Sequence, residues 1–258
     1  MNITYLGPAS GIATVNRPCQ NAILLESGGR YLLLDGGEPL SIHLIQRNIP
    51  LDNIDGMVIS HMRSDHCGTL PQLLTTFLIR QRKTPFTVFL PSEGVEAFRI
   101  FLKAVYLFGP FLPFPLQLQP IPETGGVTLG AFSMKFLRNN HLRQAAAMVK
   151  DISPGNRGES YSTELTCEGK RIIYSGDVFS CLDMKPFFDR PVDLLLCEMA
   201  HFDPKDFNTL TAVNKPAVTA FSHFHPKFDV HPELILKEVF ADYPNRIIFA
   251  QDGCSFPI

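Results

Sequence analysis

The sequence has no long apolar run, no paired cysteine motif and no concentration of charge of one sign. No stretch reaches the roughly 18 apolar residues of a membrane-spanning helix, and prolines interrupt the apolar segment LFGPFLPFPLQLQP. The six cysteines form no C-x-x-C pair, so we expect reduced thiols in a cytoplasmic protein. The opening residues MNITYLGPAS lack the charged start and apolar run that are typical of a signal peptide.

The charge balance bears on nucleic acids as a class of partner. The net charge is −2, and the sequence has neither a basic tail nor an acidic run. Charge therefore gives no basis for strong nonspecific binding of nucleic acids. With 258 residues, the chain is long enough for one large α/β domain or two small ones. Its residues are 45% hydrophobic and 19% charged, which is the composition of an ordinary soluble globular protein.

Short apolar runs separated by turn residues predict strands along most of the chain. The predicted strands are NITYL, NAILLES, RYLLLD, DGMVIS (55–60), FTVFLP (86–91), AFSMKFL (131–137), a hairpin over 160–177, VDLLLCEM (192–199), AVTAFSH (217–223) and RIIFAQDG. Apolar spacing predicts helices over 69–82, 94–108 and 232–243. Two similar successions of strands and helices predict two packed sheets flanked by helices, with a site at one rim.

Two further features are interpreted structurally. The segment 109–122 contains five prolines, which predicts an irregular loop that acts as a lid or a pocket wall. Four glycines near the predicted sheet edge are interpreted as permitting tight turns of the backbone rather than as cradles for phosphate. They are Gly7, Gly11, Gly36 and Gly37.

Polar residues that can ligate metals follow the predicted strands. His61, Asp65 and His66 come after DGMVIS. Three more such residues end other strands: His141, Asp177 and His223. Strand ends share one rim of a sheet, so these residues can converge although they are far apart in the sequence. Neutral imidazoles and carboxylates are ligands that zinc accepts, and a carboxylate can bridge two ions.

The ordered segments resemble a known superfamily. ISHMRSDHCGTLP resembles a His-x-His-x-Asp-His signature, YSGD resembles the segment with a bridging aspartate, and FSHFHPKF resembles the segment with a last histidine. The chain is similar to the metallo-β-lactamase-fold metallohydrolases, and within them to the ribonuclease Z and phosphodiesterase-like branch. The resemblance implies an α/β fold, a four-layer αββα sandwich, as a single domain over residues 1–258.

The resemblance also implies a site for two metal ions. One ion would take His61, a second histidine and His141. The other ion would take Asp65, His66 and His223, and Asp177 would bridge the two. Zinc is the expected divalent ion, with one or two ions per chain, although manganese and iron accept the same ligands.

Arg63 occupies the position of the second histidine in this signature. A guanidinium has no lone pair for a metal, so one ligand of the first ion is missing. Three arrangements follow. Arg63 pairs with Asp177 in place of the first ion, or it turns outward and leaves a weaker first site, or both ions are lost. In the pocket, Arg63 would bind an anionic phosphate or carboxylate of the substrate.

The implied chemistry is hydrolysis of an ester-like bond, with a phosphodiester as the leading substrate class. A bound ion lowers the pKa of its water toward about 7 and so provides hydroxide for the attack. Asp65 is the candidate for orienting that hydroxide or accepting its proton. Glu198, in CEMAHF, resembles the glutamate of a His-Glu-Ala-Thr segment that serves proton transfer in this branch. His201 and His225 are further candidates for substrate contacts.

Two alternatives remain open at this stage. One is a hydrolase of carboxylic esters, lactones or thioesters, for which the apolar segment around FGPFLPFPL would form a pocket wall. The other is a non-catalytic member that binds a ligand through a degenerate metal site. The expected partner is a small or nucleotide-like ester, with no membrane involved. The chain lacks a long glycine-rich arm, which argues against transfer RNA, and the branch suggests a homodimer.

Overall fold

The fold is seen in a computed structural model that describes residues 1–225, 240 and 245–258. The first half of the chain contains β1 (Asn2–Gly7), β2 (Ala22–Ser27), β3 (Arg30–Leu34), α1 (Leu40–Gln46), β4 (Ile54–Val58), α2 (Ser64–Cys67), α3 (Leu70–Ile79), β5 (Phe86–Leu90), α4 (Ser92–Ala104) and β6 (Leu116–Pro120). The second half contains β7 (Val127–Leu129), β8 (Phe132–Arg138), α5 (Arg143–Val149), β9 (Tyr161–Cys167), β10 (Lys170–Tyr174), β11 (Leu194–Met199), α6 (Asp206–Leu210), β12 (Val218–Phe224), β13 (Arg246–Phe249) and β14 (Ser255–Pro257). Short 3-10 helices cover Leu51–Asn53, Gly109–Phe111 and Cys181–Asp189.

Within the described residues, the strands form two sheets of seven strands each. The first has the order β14-β1-β2-β3-β4-β5-β6, and the second has the order β13-β12-β11-β10-β9-β8-β7. In both sheets, antiparallel hairpins at one side continue into parallel strands at the other. The parallel strands place their carboxyl ends at the same rim, where the polar residues of the sequence motifs follow.

Three apolar layers hold these elements together. A middle layer packs the two sheets face to face and includes Ile23 and Leu32 of the first sheet and Leu165 and Leu194 of the second. One outer layer packs the first sheet against α1, α3 and α4. The other packs the second sheet against α6 and the 3-10 helix at Cys181–Asp189. This arrangement confirms the predicted αββα sandwich.

The helix and hairpin predictions are confirmed where the structure describes them. In α3, all four of Leu70, Leu73, Leu74 and Phe77 are buried, which gives the helix a single apolar face. The first hairpin turns at Gly28–Gly29, between the paired residues Ser27 and Arg30. The helix predicted over 232–243 lies outside the described residues, apart from Phe240.

The proline-rich segment differs from the prediction of an irregular loop. Leu116–Pro120 forms β6, which pairs in parallel with β5 at the edge of the first sheet. Proline is tolerated in an edge strand because the N–H groups on its outer side form no hydrogen bonds with another strand. The segment lines a cavity of about 770 Å³ together with α4, and no residue of the histidine motifs lines that cavity. The segment therefore does not wall the candidate site.

The four glycines also need correction. None of them has a positive φ, so a left-handed turn is not what requires glycine there. A Cβ on Gly37 would lie 2.6 Å from the backbone oxygen of Asp65, and a Cβ on Gly11 would lie 3.1 Å from the Asp65 carboxylate. Gly11 and Gly37 are therefore required for space beside Asp65, and Gly7 is required for space beside the backbone of Cys19 and Gln20.

No helix within the described residues is both long and apolar enough to cross a lipid bilayer.

Candidate metal centre

The rim residues come from both sheets and meet at the carboxyl ends of their strands. His61 lies beyond β4, and Asp65 and His66 lie in the short helix α2 that follows. From the second sheet, His141 follows β8, Asp177 follows β10 and His223 lies near the end of β12. All six predicted metal-binding residues are therefore brought to one place, although their role as ligands stays a prediction.

One carboxylate oxygen, Oδ2 of Asp177, is the centre of the cluster. Five imidazoles have a nitrogen within 4 Å of it. The distances are 3.2 Å for His223 Nε2, 3.4 Å for His66 Nε2, 3.6 Å for His141 Nε2, 3.8 Å for His201 Nδ1 and 3.9 Å for His61 Nε2. Asp177 is only 1% exposed, so this carboxylate lies out of contact with bulk water, whereas His201 is exposed at the edge of the cluster.

Several of these buried atoms have no hydrogen-bond partner among the residues that the structure describes. They are Nε2 of His61, His66 and His141, and Oδ2 of Asp177. An unsatisfied buried polar atom costs about 1–3 kcal/mol, so four of them facing one point need a common partner. Neutral imidazoles around a carboxylate form a donor set that suits a divalent ion. The residues present therefore fit the metal site that the motifs predict.

A second group of ligand atoms adjoins the first. One atom each from Asp65, His66 and His223 lies within 4.8 Å of the other two. These are the three residues that the sequence motif assigns to one ion, with Asp177 next to them. Asp65 is 8% exposed, and its Oδ2 lies 3.4 Å from His66 Nε2.

His66 is oriented by a buried aspartate that the sequence analysis did not select. Its Nδ1 lies 2.6 Å from Oδ2 of Asp35, which follows β3 and is fully buried. Tyr174 Oη and both polar groups of Ser60 also donate hydrogen bonds to Asp35. A carboxylate behind a histidine fixes the orientation of its ring, so Nδ1 donates to Asp35 and Nε2 faces the centre.

The same network fixes His61. The hydroxyl of Ser60 donates its only proton to Asp35 and lies 3.0 Å from His61 Nδ1. The hydroxyl must therefore accept from Nδ1–H, which leaves the lone pair on His61 Nε2. Both histidines of the first sheet are thus held with Nε2 toward Asp177.

The second sheet positions its residues by other means. Asn139 donates from Nδ2 to the backbone oxygen of Asp177 at 2.9 Å, and its Oδ1 accepts from the backbone N–H of His141. His223 lies at a bulge between β11 and β12 and has a φ of +53°, which is rare for a residue other than glycine. Its N–H donates to the oxygen of Pro8. The bulge turns the His223 side chain toward the centre.

Burial and charge set the protonation of the cluster. Burial holds the pKa of His61 well below its usual value and lowers the pKa of His141 to about 4, to which the charge of Arg63 contributes. Burial also disfavours the charged forms of His66 and Asp177. The neighbouring charges outweigh this effect of burial. Asp177 and Asp35 hold the pKa of His66 well above its usual value, and His223 and His66 hold the pKa of Asp177 well below its usual value. His61 and His141 are thus neutral at pH 7, as metal ligands must be.

Arg63 is exposed, at the residue before α2. Among the described residues it forms no ion pair with Asp177, so the structure does not have the first of the three arrangements considered. Its charge nevertheless contributes to the lowered pKa values of His61 and His141. The predicted contact of Arg63 with substrate is untested by this geometry.

Glu198 and His201 form a pair beside the centre. Glu198, at the end of β11, is 2% exposed and accepts four hydrogen bonds. These come from the backbone N–H of Val178, Ala200 and His201 and from His201 Nδ1. Glu198 thus positions His201, while its proposed part in proton transfer stays a prediction. His225 is exposed and belongs to none of the candidate ligand groups found in the described part of the chain.

Two positioning residues, Asp35 and Asn139, were not found by sequence reasoning. Asp35 is the last residue of the predicted strand RYLLLD, and Asn139 comes two residues after the predicted strand AFSMKFL. The signal that selected His61 and Asp177 was therefore present at both positions. The sequence analysis selected the nearby residues Gly36 and His141 instead.

Several curated proteins named ribonuclease Z are similar in sequence to this chain. The chain is 27% identical over 159 residues to ribonuclease Z of Pseudomonas putida (strain W619), which covers 61% of this chain and 49% of that protein. It is 35% identical over 155 residues to ribonuclease Z of Prochlorococcus marinus subsp. pastoris, covering 60% of this chain and 47% of that protein. The matched regions thus span about half the length of these curated relatives.

Solved structures show the same fold. The metallo-β-lactamase fold protein YhfI from Bacillus subtilis has a TM-score of 0.78 at 18% identity, over 99% of this chain and 98% of its own. The short form of human tRNase Z has a TM-score of 0.72 at 18% identity, over 100% and 99% of the two chains. Identities this low establish the fold alone.

A family assignment comes from the sequence itself. Residues 1–205 match the family described as "Anti-Pycsar protein Apyc1", which covers most of the chain. The matched region includes five of the six predicted ligands, all except His223. This protein therefore belongs to the family of the anti-Pycsar protein Apyc1, within the ribonuclease Z-like proteins of the metallo-β-lactamase fold.

Proposed function

We propose that this chain is a metal-dependent hydrolase that cleaves a phosphodiester-type bond. The observation that carries the proposal is the convergence of five imidazole nitrogens on the buried Oδ2 of Asp177, each within 4 Å. A divalent ion bound among these groups would activate water and offset negative charge on the substrate. The protein residues bind the ion and position the reacting groups.

Roles follow from the position of each side chain. Asp65 lies at the edge of the cluster with its carboxylate next to His66, where it can accept a proton from an attacking water. Glu198 holds His201 beside Asp177. Arg63, exposed at the residue before α2, supplies a positive charge that can attract an anionic substrate.

Two observations favour a phosphodiester over a carboxylic ester. The curated relatives are named ribonuclease Z, and a structural neighbour is described as a diphosphatase, so both names refer to phosphate chemistry. The apolar segment that would suit a greasy ester lines a different cavity, with α4. A role against Pycsar, which the family name states for Apyc1, is part of the same proposal.

The test begins with the untreated protein and its metal content. The purified chain is then assayed on bis-p-nitrophenyl phosphate, a cyclic mononucleotide and an RNA oligonucleotide, in parallel with p-nitrophenyl esters and lactones. We expect bound metal and cleavage of at least one phosphodiester. The variant D65N should lose about 10²-fold or more in kcat. K185Q, at an exposed lysine outside the cluster, serves as the control.

Other outcomes decide against the proposal. Cleavage of esters or lactones without any phosphodiester would support the ester hydrolase instead. A chain that folds, contains no metal and cleaves nothing in the panel would support a ligand-binding protein.

A further inference from the structure

The candidate centre has one vacant ligand position. The motif that supplies two histidines to the first ion has Arg63 in place of the second, and this arginine is exposed. His61 and His141 therefore lack the partner that their position in the motif requires. A three-ligand or four-ligand zinc site needs that place filled by another donor.

His201 reaches the centre from a different element. It lies in the loop after β11, and its Nδ1 is 3.8 Å from Oδ2 of Asp177. Its ring centroid lies 4.6 Å from that of His141 and 5.6 Å from that of His223. One ligand atom each from His141, Asp177 and His201 lies within 4.8 Å of the other two.

The position of His201 is fixed by its surroundings. Glu198 accepts hydrogen bonds from both the backbone N–H and Nδ1 of His201, each at 3.0 Å. The Glu198 carboxylate is itself held by the N–H groups of Val178 and Ala200. These bonds hold the His201 ring beside Asp177, with Nδ1 shared between the Glu198 carboxylate and the side that faces Asp177.

Two neighbours of His201 give a separate indication of a bound cation. Nε2 of His141 and Oδ2 of Asp177 are buried and have no hydrogen-bond partner, and both face this group. A cation among His141, Asp177 and His201 would satisfy both atoms at once.

We propose that His201 replaces the histidine missing at position 63 and binds the first metal ion together with His141 and Asp177. The inference rests on the proposed function, because it assumes that the centre binds divalent ions. The replacement moves the ligand from the loop of the first sheet to the loop after β11 of the second. Asp65, His66 and His223 bind the other ion without it.

The hydrogen bond from His201 to Glu198 also predicts which of the two metal ions is bound more weakly. His201 Nδ1 lies between Glu198 Oε1 and Asp177 Oδ2, so an ion bound there competes with Glu198 for this nitrogen. The group of Asp65, His66 and His223 contains no such competitor. We therefore expect the ion at His201 to be the more weakly bound and the first to be removed by a chelator.

The test counts metal rather than activity. Protein reconstituted with zinc and freed of excess metal is analysed for zinc per chain. We expect two ions in the wild type, one in H201Q and two again in R63H/H201Q, where the original ligand position is restored. H43Q, at a histidine on α1 outside the cluster, should retain two ions. Circular dichroism and thermal melting of each variant establish that it is folded.

A spectroscopic variant keeps the test decisive if H201Q does not fold. H201C replaces one zinc ligand by another, so it should keep two ions. With cobalt in place of zinc, H201C should show a thiolate-to-cobalt charge-transfer band that the wild type does not have.

The outcomes separate the two proposals. Wild-type protein that binds no zinc would overturn the proposed function. Zinc in the wild type that is unchanged in H201Q, together with no charge-transfer band in H201C, would overturn this inference and leave the proposed function standing. Failure of R63H to restore an ion lost in H201Q would show that His201 does not replace the missing ligand.

Discussion

Oδ2 of Asp35 lies 2.6 Å from Nδ1 of His66, and both residues are completely buried. The aspartate ends a strand of the first sheet, and the histidine follows the neighbouring strand. Asp35 also accepts hydrogen bonds from Ser60 and Tyr174. It therefore connects the middle of the sandwich to the orientation of His66, a candidate metal ligand.

Replacing this carboxylate should weaken metal binding. D35N removes the negative charge behind His66 and loosens the ring orientation in which Nε2 faces the centre. We expect the affinity for zinc to fall about 10- to 100-fold, measured by competition with a chromophoric chelator. D151N, at an exposed aspartate away from the cluster, should bind zinc as the wild type does. Equal affinities for D35N and the wild type would refute the positioning role of Asp35.

Metal should stabilise the folded chain. The ligands lie far apart in the sequence and converge only after folding, so zinc binds the native state far better than the unfolded state. At zinc concentrations about 100 times the dissociation constant, the gain is about 2.7 kcal/mol. Thermal melting of metal-free protein with and without zinc measures it. In H223N the increase in Tm should shrink, and an undiminished increase would exclude His223 as a ligand.

The metal-free protein should lose stability in mild acid. The pKa of His141 is about 4 in the folded state, against about 6.5 when unfolded. Between these values the unfolded chain binds a proton that the folded chain does not, so stability falls as the pH falls. His141 contributes up to about 3 kcal/mol to this loss.

The comparison that tests this uses H141Q. Urea unfolding of metal-free protein at pH 7 and pH 4.5 should show a smaller loss of stability for H141Q than for the wild type. His66 acts in the opposite sense, because its pKa is raised: its contribution is present below pH 6.5 and is lost only as the pH rises through the folded value. Parallel pH profiles for wild type and H141Q would contradict the assignment to His141.

Space beside Asp65 should be as necessary as its charge. In G37A the new Cβ would lie 2.6 Å from the backbone oxygen of Asp65, so the loops must move apart. We expect a loss of about 2 kcal/mol, or roughly 4–8 °C in Tm, together with weaker zinc binding. G155A is the matched control, because nothing lies within 4 Å of its Cβ position. If both variants behave alike, close packing is not what requires glycine at position 37.

The sequence predicted the parts of the fold that follow from local pattern. Alternating apolar runs gave the strands, and their polar ends gave His61, Asp65, His66, His141, Asp177 and His223. These residues could be found because convergence at a rim is a consequence of parallel strands. The edge strand Leu116–Pro120 was missed because its prolines read as a loop, and pairing with β5 overrides that local signal.

Other features of the site depend on contacts that no local pattern encodes. The position of His201 follows from its hydrogen bonds to Glu198 three residues earlier, in an irregular loop. The conformation of His223 follows from a bulge between β11 and β12. The space required at Gly37 follows from a loop 28 residues further along the chain. The bulge and the space at Gly37 arise only when distant segments pack together, whereas the His201 contact is local but lies in a loop without a periodic pattern.

The division of the ligands between the two sheets has a mechanical consequence. His61, Asp65 and His66 belong to one half of the sandwich, and His141, Asp177, His201 and His223 belong to the other. A cation bound among them would tie the halves together at the rim, as a cross-link does, and would resist sliding of one half over the other. While the ion is bound, the two halves could not move independently at the rim. Release of the ion would allow them to separate there.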